Sequence, residues 1–368
     1  MVKHVSLLAA IVAFAAACPL SAGTVNGYSQ TNLVSDIPGL AAQTDPRLVN
    51  PWGIAKSGSS PFWISDNGAG VSTLYNTAGT PQALVVTIPG VGGNPSTPTG
   101  QVFNSSTNFN SDLFIFATEG GTIAGWRGAL GTTAETLFSS SANATFKGLA
   151  IGATAQGTYL YAADFHNNTI TVVPGTGAPA LVGNFTDPNL PVGFAPFNVQ
   201  NLNGQLYVTY AKQDAAGHDD VPGAGNGFVD VYDLNGVFIK RLISGGPLDS
   251  PWGLAIAPAS FGAAGGDLLV GNFGDGTINV FGSDGTFVGS LATGGGTPLI
   301  NDGLWGLTFG NGGNGGNTNT LYLTAGLNDE ADGLFAQIDA GPTTTPTPEP
   351  ATFGLLAVAI GLLVWKRC

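Results

Sequence analysis

The chain has 368 residues, with 23 acidic and 10 basic side chains that give a formal net charge of −13. Ten basic side chains are too few to build the basic surface that phosphate backbones require, and nucleic acid is therefore excluded as a partner. Only 9% of the residues are charged and 57 are glycine, yet 43% are hydrophobic, too many for a disordered chain. Abundant glycine together with abundant aromatic residues predicts short strands joined by tight turns.

The N-terminus has the three parts of a secretory signal. Lys3 precedes an apolar run over residues 5–17, and small residues follow up to Ala22. We expect residues 1–22 to be a signal peptide that signal peptidase removes after Ala22. The alternative is lipidation of Cys18, which follows two alanines as in half of a lipoprotein box. Both interpretations predict export through the inner membrane.

A repeat of about 50 residues occupies the middle of the chain. Its clearest copies contain Trp-Gly followed by apolar residues, at Trp52, Trp252 and Trp305. The glycine, or the asparagine that replaces it in one copy, marks six starts: Gly53, Gly100, Gly148, Asn198, Gly253 and Gly306. A strand-rich repeat of this length predicts an all-β, six-bladed β-propeller over residues 23–340. We expect the glycines to lie where inner strands approach closely, and the tryptophans to wedge between neighbouring blades.

The fifth copy shows the strand plan most clearly. Four strands are predicted at residues 252–256, 267–271, 277–281 and 286–291, with Asp-Gly turns between the later pairs. The sixth copy has only three strands. We therefore expect residues 28–37, near the N-terminus, to supply its outer strand and close the ring.

The loops between the second and third strands of each blade should meet on one face of the propeller, and carboxylate and amide side chains recur in them. Converging oxygen ligands of this kind suit a hard cation, Ca²⁺ above all. The alternative is that these residues only make tight turns. The candidate metal ligands are Asp66, Glu119, Asp164, Asn272, Asp275 and Asn328.

The longest of these loops covers residues 212–227 and is rich in carboxylates and glycine. Long polar loops are common binding elements, so we place a ligand-binding rim here. Its candidate residues are His166, Asp214, His218, Asp219 and Asp220. The chain lacks the motifs of serine hydrolases, zinc proteases and P-loop enzymes, so no catalytic residue is assigned and a non-enzymatic role is favoured.

The C-terminal residues form a sorting segment. A Pro/Thr-rich linker over residues 341–350 ends in Pro348-Glu349-Pro350, and residues 351–368 hold an apolar run with a basic end. This order resembles the PEP-CTERM sorting signal of exported bacterial proteins. The resemblance implies brief membrane anchoring by a transmembrane helix, processing by an exosortase-type enzyme at the Pro-Glu-Pro motif, and delivery to the cell surface or medium. The alternative is a permanent tail anchor.

The blades resemble NHL-type six-bladed propellers, and Asn50 to Gly53 matches the Asn-Pro-Trp-Gly start of an uncharacterised bacterial propeller group. We therefore expect a cell-surface or matrix-associated binding protein, with extracellular polysaccharide as a candidate partner. A third possibility is carbohydrate binding through exposed Trp63, exposed Trp126 or tyrosines of the rim. The alternative, by analogy with six-bladed lactonases, is a calcium-dependent hydrolase.

Overall fold

The computed structural model describes residues 23–93 and 95–341, which form an all-β protein. Its first twelve strands are β1 (Thr24–Ser35), β2 (Gln43–Thr44), β3 (Pro51–Ala55), β4 (Phe62–Asp66), β5 (Val71–Tyr75), β6 (Val86–Thr87), β7 (Pro98–Phe103), β8 (Phe114–Thr118), β9 (Thr122–Trp126), β10 (Glu135–Ser139), β11 (Phe146–Thr154) and β12 (Gly157–Asp164). The remaining strands are β13 (Thr169–Pro174), β14 (Phe194–Leu202), β15 (Gln205–Lys212), β16 (Gly227–Tyr232), β17 (Phe238–Ser244), β18 (Pro251–Ile256), β19 (Leu268–Asn272), β20 (Ile278–Phe281), β21 (Phe287–Thr293), β22 (Leu304–Phe309), β23 (Thr320–Gly326) and β24 (Asp332–Ala340).

Helical structure in the described ranges is limited to short turns. The 3₁₀ turns are Asn67–Ala69, Val91–Gly93, Phe109–Ser111, Gly128–Leu130 and Gly262–Ala264, and one α-helical turn covers Leu327–Glu330. Across residues 23–93 and 95–341, none of these turns is long and apolar enough to cross a membrane. The predicted signal peptide, the Pro-Glu-Pro motif and the apolar C-terminal run all lie outside the described residues.

The strands form six antiparallel units, each ordered from an inner to an outer strand. The units are β3–β6, β7–β10, β11–β13, β14–β17, β18–β21, and β22–β24 with β1. Their inner strands are neighbours in ring order, and β22 returns to β3. Hydrophobic clusters fill the spaces between adjacent units, and a separate aromatic cluster lies at the centre. The prediction of an all-β propeller is confirmed.

Strand β1 closes the ring, as the incomplete sixth repeat predicted. It pairs antiparallel with β24, from Tyr28 opposite Ala340 to Ser35 opposite Leu334. It also pairs in parallel with β21 of the preceding blade, so blades five and six share one continuous sheet. The Tyr28 hydroxyl donates a hydrogen bond to the Phe261 carbonyl oxygen at 3.0 Å. The first strand in the chain thus connects its last two blades.

The repeat glycines lie where the inner strands touch, as predicted. A Cβ atom added at Gly53 would lie 2.9 Å from the Gln101 backbone nitrogen, and one at Gly306 would lie 2.7 Å from the Trp52 carbonyl oxygen. At the one position without glycine, the Asn198 side chain donates to the Trp252 carbonyl oxygen at 2.7 Å. Each contact reaches the next blade, so the ring leaves no room for a Cβ atom at the glycine positions.

Replacing Gly100 by alanine is expected to lower the free energy of unfolding by about 3 kcal/mol, the upper end of overpacking effects. The new Cβ would lie 2.7 Å from the Gly148 carbonyl carbon and 2.9 Å from its Cα, and backbone atoms cannot rotate away. Gly58→Ala is the matched control, because nothing lies within 4 Å of its Cβ position and its φ is not positive. Urea unfolding measures both variants, and equal stability of the two would contradict the packing argument.

Candidate functional site

A β-bulge turns one residue of every inner strand toward the channel. The antiparallel register shifts at the Trp-Gly position, or its equivalent, in all six. A bulge leaves a residue without a ladder partner and turns its side chain. The residues before the repeat glycine or asparagine form what we name the central layer: Trp52, Thr99, Lys147, Phe197, Trp252 and Trp305. All six are buried.

Three tryptophans of the central layer meet each other. The Trp52 and Trp305 rings stack with their centroids 3.5 Å apart, and Trp252 packs edge-on at 6.2 Å and 5.8 Å from them. Trp52 and Trp252 belong to blades that are not neighbours, so the prediction that these side chains wedge between adjacent blades is wrong. The bulges direct them into the channel, where they form an aromatic plug.

Lys147 is the charged member of the central layer. Its ammonium nitrogen lies 2.6 Å from Glu119 Oε1 and 3.5 Å from Asp219 Oδ1, and 5.0 Å from the centroid of the Trp52 ring. Its own carbonyl oxygen accepts a hydrogen bond from Trp252 Nε1 at 3.2 Å. A buried positive charge is therefore held between carboxylates from two loops and the aromatic plug.

A chain of hydrogen bonds extends from this ion pair around the channel. Asn67 Nδ2 donates to Glu119 Oε2 at 3.1 Å, and Asn50 Nδ2 donates to Glu330 Oε2 at 2.9 Å. Asn50 Oδ1 accepts from Trp305 Nε1 at 3.0 Å. Glu119 pairs directly with the Lys147 ammonium, Glu330 from another blade is attracted to it without contact, and each carboxyl group is oriented by an asparagine amide.

The loop after β15 brings the exposed part of the site. Asp214 Oδ1 accepts hydrogen bonds from the backbone nitrogens of His218 and Asp219, which shapes the loop as a tight turn. His218 Nδ1 lies 2.9 Å from Asp219 Oδ1. One ligand atom from each of Glu119, His218 and Asp219 lies within 4.8 Å of the others, so within residues 23–93 and 95–341 these three residues form the group that could hold a metal ion.

Burial and the lysine charge set the protonation of these carboxyl groups. For Glu119, burial acts to raise the pKa, but the Lys147 charge and hydrogen bonds outweigh burial and the pKa is lowered. Burial raises the pKa of Glu330 to about 7, despite attraction to Lys147 and with added repulsion from Glu119. Burial also raises the pKa of Asp220 to about 6. Two carboxyl groups near the channel therefore titrate close to neutral pH.

The structure does not bring the six candidate metal ligands together. Glu119 is the member of that set at the centre, and the other five bond within their own blade or the connection leading to it. Their hydrogen-bond partners are Thr73 for Asp66, Asn167 for Asp164, Pro247 and Asp275 for Asn272, Thr277 for Asp275, and Asp332 for Asn328. These five side chains stabilise turns and strand ends in this structure.

Four of the five candidate rim residues belong to one loop. His218 and Asp219 reach the central ion pair, Asp214 shapes the turn, and Asp220 is partly buried beside them. His166 lies next to Gly217 of this loop. The loop therefore presents a compact polar rim.

The prediction that Trp63 and Trp126 are exposed is wrong. Trp63 is only 3% exposed and stacks on Phe114 with centroids 4.1 Å apart, and Trp126 is 8% exposed. Both rings belong to the packing between the first two blades.

Sequence analysis missed Lys147 and Asn50 as site residues and did not select Glu330. One signal for Lys147 was available: it occupies, in the third repeat, the position of the tryptophan in three others. A lone charge at a position where four of the six repeats carry an aromatic residue indicates a buried role. The Asn-Pro-Trp-Gly motif marked Asn50 as part of a repeat start, but its role in the site depends on Glu330, which the motif does not reveal.

The pKa of Glu330 predicts a pH-dependent stability. A carboxyl group whose pKa is raised from 4.5 to about 7 on folding stabilises the protein below pH 4.5, and that contribution is lost as the pH rises through 7. Glu330→Gln should remove this loss. Between pH 5 and pH 8 we therefore expect the free energy of unfolding of the variant to rise by about 2 kcal/mol relative to that of the unmodified protein. Asp329→Asn, an exposed neighbour, is the control. Urea unfolding gives the free energy of unfolding at each pH. If this free energy changes with pH in the same way for Glu330→Gln and the unmodified protein, the assignment is contradicted.

Known proteins similar to this chain support its fold but identify no activity. No family model matches the chain. It is 34% identical over 324 residues to "Uncharacterized protein R648" of Acanthamoeba polyphaga mimivirus, covering 83% of this chain and 78% of that protein. It is 31% identical over 326 residues to "Uncharacterized protein L690" of the same virus, covering 83% and 84%.

Among solved structures, a protein of unknown function from Bacteroides thetaiotaomicron is similar over 85% of this chain and 76% of its own, with a TM-score of 0.54 and 12% identity. A streptogramin B lyase is similar over 85% of this chain and 98% of its own, with a TM-score of 0.49 and 12% identity. Similarity at this level of identity shows the fold alone.

Proposed function

The chain belongs to the same family as the mimivirus proteins R648 and L690, and from this propeller scaffold we propose that it is an exported binding protein of the cell surface or extracellular matrix. Its ligand site is the polar rim above the central layer, formed by the loop of residues 212–227 with Glu119, Lys147 and Glu330. The rim is a surface for recognition and not a metal-dependent catalytic centre.

The position of the Lys147 ammonium carries this proposal. Lys147 lies at hydrogen-bond distance from Glu119 and 3.5 Å from Asp219, so it neutralises two of the three carboxylate or imidazole groups that converge there. A divalent cation at the same carboxylates would face a fixed positive charge a few ångströms away. The lysine thus fills the electrostatic role of a central cation, and the tryptophan plug closes the channel beneath it.

The exposed groups of the rim favour a neutral, hydroxyl-rich ligand. The side chains of His218 and Asp219 are 50% and 69% exposed, and both can hydrogen-bond to hydroxyl groups. The net charge of −13 repels polyanions. We therefore propose that the partner is a neutral extracellular polysaccharide.

Affinity electrophoresis of the full-length protein tests the binding function. We expect gels containing dextran to slow the protein and gels containing polygalacturonate to leave its mobility unchanged. The double variant His218→Ala, Asp219→Ala should lose most of the retardation. Asp284→Ala is the charge control, because Asp284 is exposed in an outer turn of the fifth blade. No retardation by dextran, or equal retardation of the double variant, would overturn the proposed rim.

The alternative is a calcium-dependent hydrolase, favoured by the convergence of Glu119, His218 and Asp219. An ion bound to the native state at 100 times its Kd would stabilise the fold by about 2.7 kcal/mol. Because Lys147 already neutralises these carboxylates, we expect the same unfolding temperature in calcium and in chelator. A calcium-dependent rise that disappears in Asp219→Ala would support the hydrolase instead.

We also propose that the protein is sorted by its C-terminal segment. The apolar residues 351–365 would span about 22 Å as a helix, at roughly 1.5 Å per residue, against a hydrocarbon core of about 30 Å. Such a marginal anchor suits temporary retention followed by cleavage. An exosortase-type enzyme would act near Pro348, Glu349 and Pro350 after signal peptidase has cut at the N-terminus.

Glu349→Ala is expected to leave the propeller folded and exported but retained uncut in the inner membrane, because the motif loses its charged residue. Thr347→Ala, just outside the motif, is the matched control and should be processed. Mass spectrometry of the surface fraction measures the C-terminus. Native surface protein that still carries Lys366 and Arg367 would show a permanent tail anchor.

A further inference from the structure

The channel opens into a cavity of about 490 Å³ on the side of the central layer opposite the rim. The residues that follow the repeat glycine in the inner strands line this cavity, whereas the central layer precedes it. Trp252 lies at the boundary and contacts both sides. The volume lies within the range of small-molecule sites in proteins. None of the candidate rim residues lines it.

The lining of the cavity carries one charge, that of Lys56. Within residues 23–93 and 95–341, Lys56 makes no ion pair, and its ammonium donates a hydrogen bond to Thr308 Oγ1 at 2.7 Å. Burial alone lowers its pKa to about 8, since no nearby carboxylate opposes the loss of hydration. At neutral pH the cavity therefore holds a partly desolvated positive charge without a counter-ion, although the protein as a whole is acidic.

Gln101 lies in the wall of the same cavity and is tied there to the neighbouring blade. The residue is 7% exposed, and its amide nitrogen donates to the carbonyl oxygens of Gly53 and Trp63. Its side-chain oxygen is buried and has no hydrogen-bond partner within the described chain. Because that oxygen has no accessible surface, it does not face a ligand, and the half-buried amide of Gln200 is the polar side chain that a ligand hydroxyl can reach.

We propose that this cavity binds a small monocarboxylate that also carries hydroxyl groups. The carboxylate pairs with the Lys56 ammonium, a ligand hydroxyl hydrogen-bonds to the Gln200 amide, and the carbon skeleton contacts Ile54, Val102 and Leu307. One cation matches one negative charge. Phosphate recognition usually adds arginine or a run of backbone N–H groups, and the lining contains no arginine.

Isothermal titration of the full-length protein with D-glucuronate tests the site, with neutral D-glucose as the charge control. We expect saturable binding of glucuronate at pH 6.5 and at least tenfold weaker binding of glucose. Affinity should fall as the pH rises above 8, because the ammonium loses its proton. Lys56→Gln should weaken glucuronate binding at least tenfold, whereas Lys56→Arg, which keeps the charge, should retain most of it. Lys240→Gln changes an exposed lysine of the outer strand β17 and should have no effect.

Thermal unfolding of Lys56→Gln confirms that any lost affinity does not come from lost structure. The absence of saturable heat with glucuronate, equal affinity for glucose, or unchanged affinity in folded Lys56→Gln would each overturn the proposal. Asp284→Ala, a variant in an exposed outer turn of the fifth blade, should bind glucuronate normally. If the rim does not bind dextran, the glucuronate titration still tests the cavity. The two sites are therefore tested separately.

Discussion

Deleting strand β1 is expected to abolish cooperative folding. The strand buries Val25, Tyr28, Leu33 and Val34, each with an exposure of 6% or less. At about 1.5–3 kcal/mol for each large buried apolar side chain, their loss rivals the total stability of about 5–15 kcal/mol of a typical domain. The deletion also leaves β21 and β24 with unpaired edges. Circular dichroism melting and limited proteolysis of the full-length protein without residues 24–35 measure the effect.

A matched pair of point variants distinguishes the effect of lost packing from the effect of deleting the strand. Val34→Asp places a carboxylate in a fully buried position of β1, whereas Thr31→Asp adds the same charge at an exposed position of that strand. We expect Val34→Asp to unfold at a far lower temperature and Thr31→Asp to match the unmodified protein. A synthetic peptide of residues 24–37 should partly restore protease resistance to the deletion variant. Full thermal stability of that variant without the peptide would contradict closure by β1.

Replacing Lys147 by methionine is expected to lower the free energy of unfolding by about 3–5 kcal/mol, the usual cost of removing one partner from a buried ion pair. Methionine fills similar volume, but Glu119 and Glu330 would then face each other without the ammonium. The loss should shrink at pH 5, because protonated carboxyl groups no longer require the positive charge. Urea unfolding at pH 5 and pH 8 measures both effects.

Lys212→Met is the control, because Lys212 is exposed near the rim. Adding Glu119→Gln to Lys147→Met should recover part of the lost stability, since the unpaired carboxylate is removed. A loss below about 1 kcal/mol for Lys147→Met, or no recovery in the double variant, would show that the pair is not the centre of the rim.

Much of the fold follows from the sequence. The turn at Ser283-Asp284-Gly285 was predicted from its composition, and Gly285 has a φ of +85°, which glycine adopts without strain. Strands β18 to β21 lie within two residues of their predicted bounds. Even the closing strand was predicted, because the sixth repeat lacked one. These features depend on local alternation, turn chemistry and repeat length, which are readable along the chain.

The candidate site followed from the sequence only in part. Acidic loops were expected on one face, and Glu119, His218 and Asp219 do meet there. Asp164 and Asp275 carry the same residue type in equivalent loops but bond to their own turns. Composition cannot separate these outcomes, because a carboxylate that faces the channel and one that caps a turn look alike in sequence.

By itself the sequence determined the propeller, its repeat and the glycine in five of its six inner strands, because each depends on spacing within one blade. Only the tertiary structure decided where the channel is closed and what charge lies in it. Bulges turn Trp52, Trp252 and Lys147 out of the strand alternation, and ring closure brings Asn50 to Glu330, 280 positions along the chain. A local pattern specifies which residues form a strand, whereas the partners of a buried charge are set by the packing of distant blades.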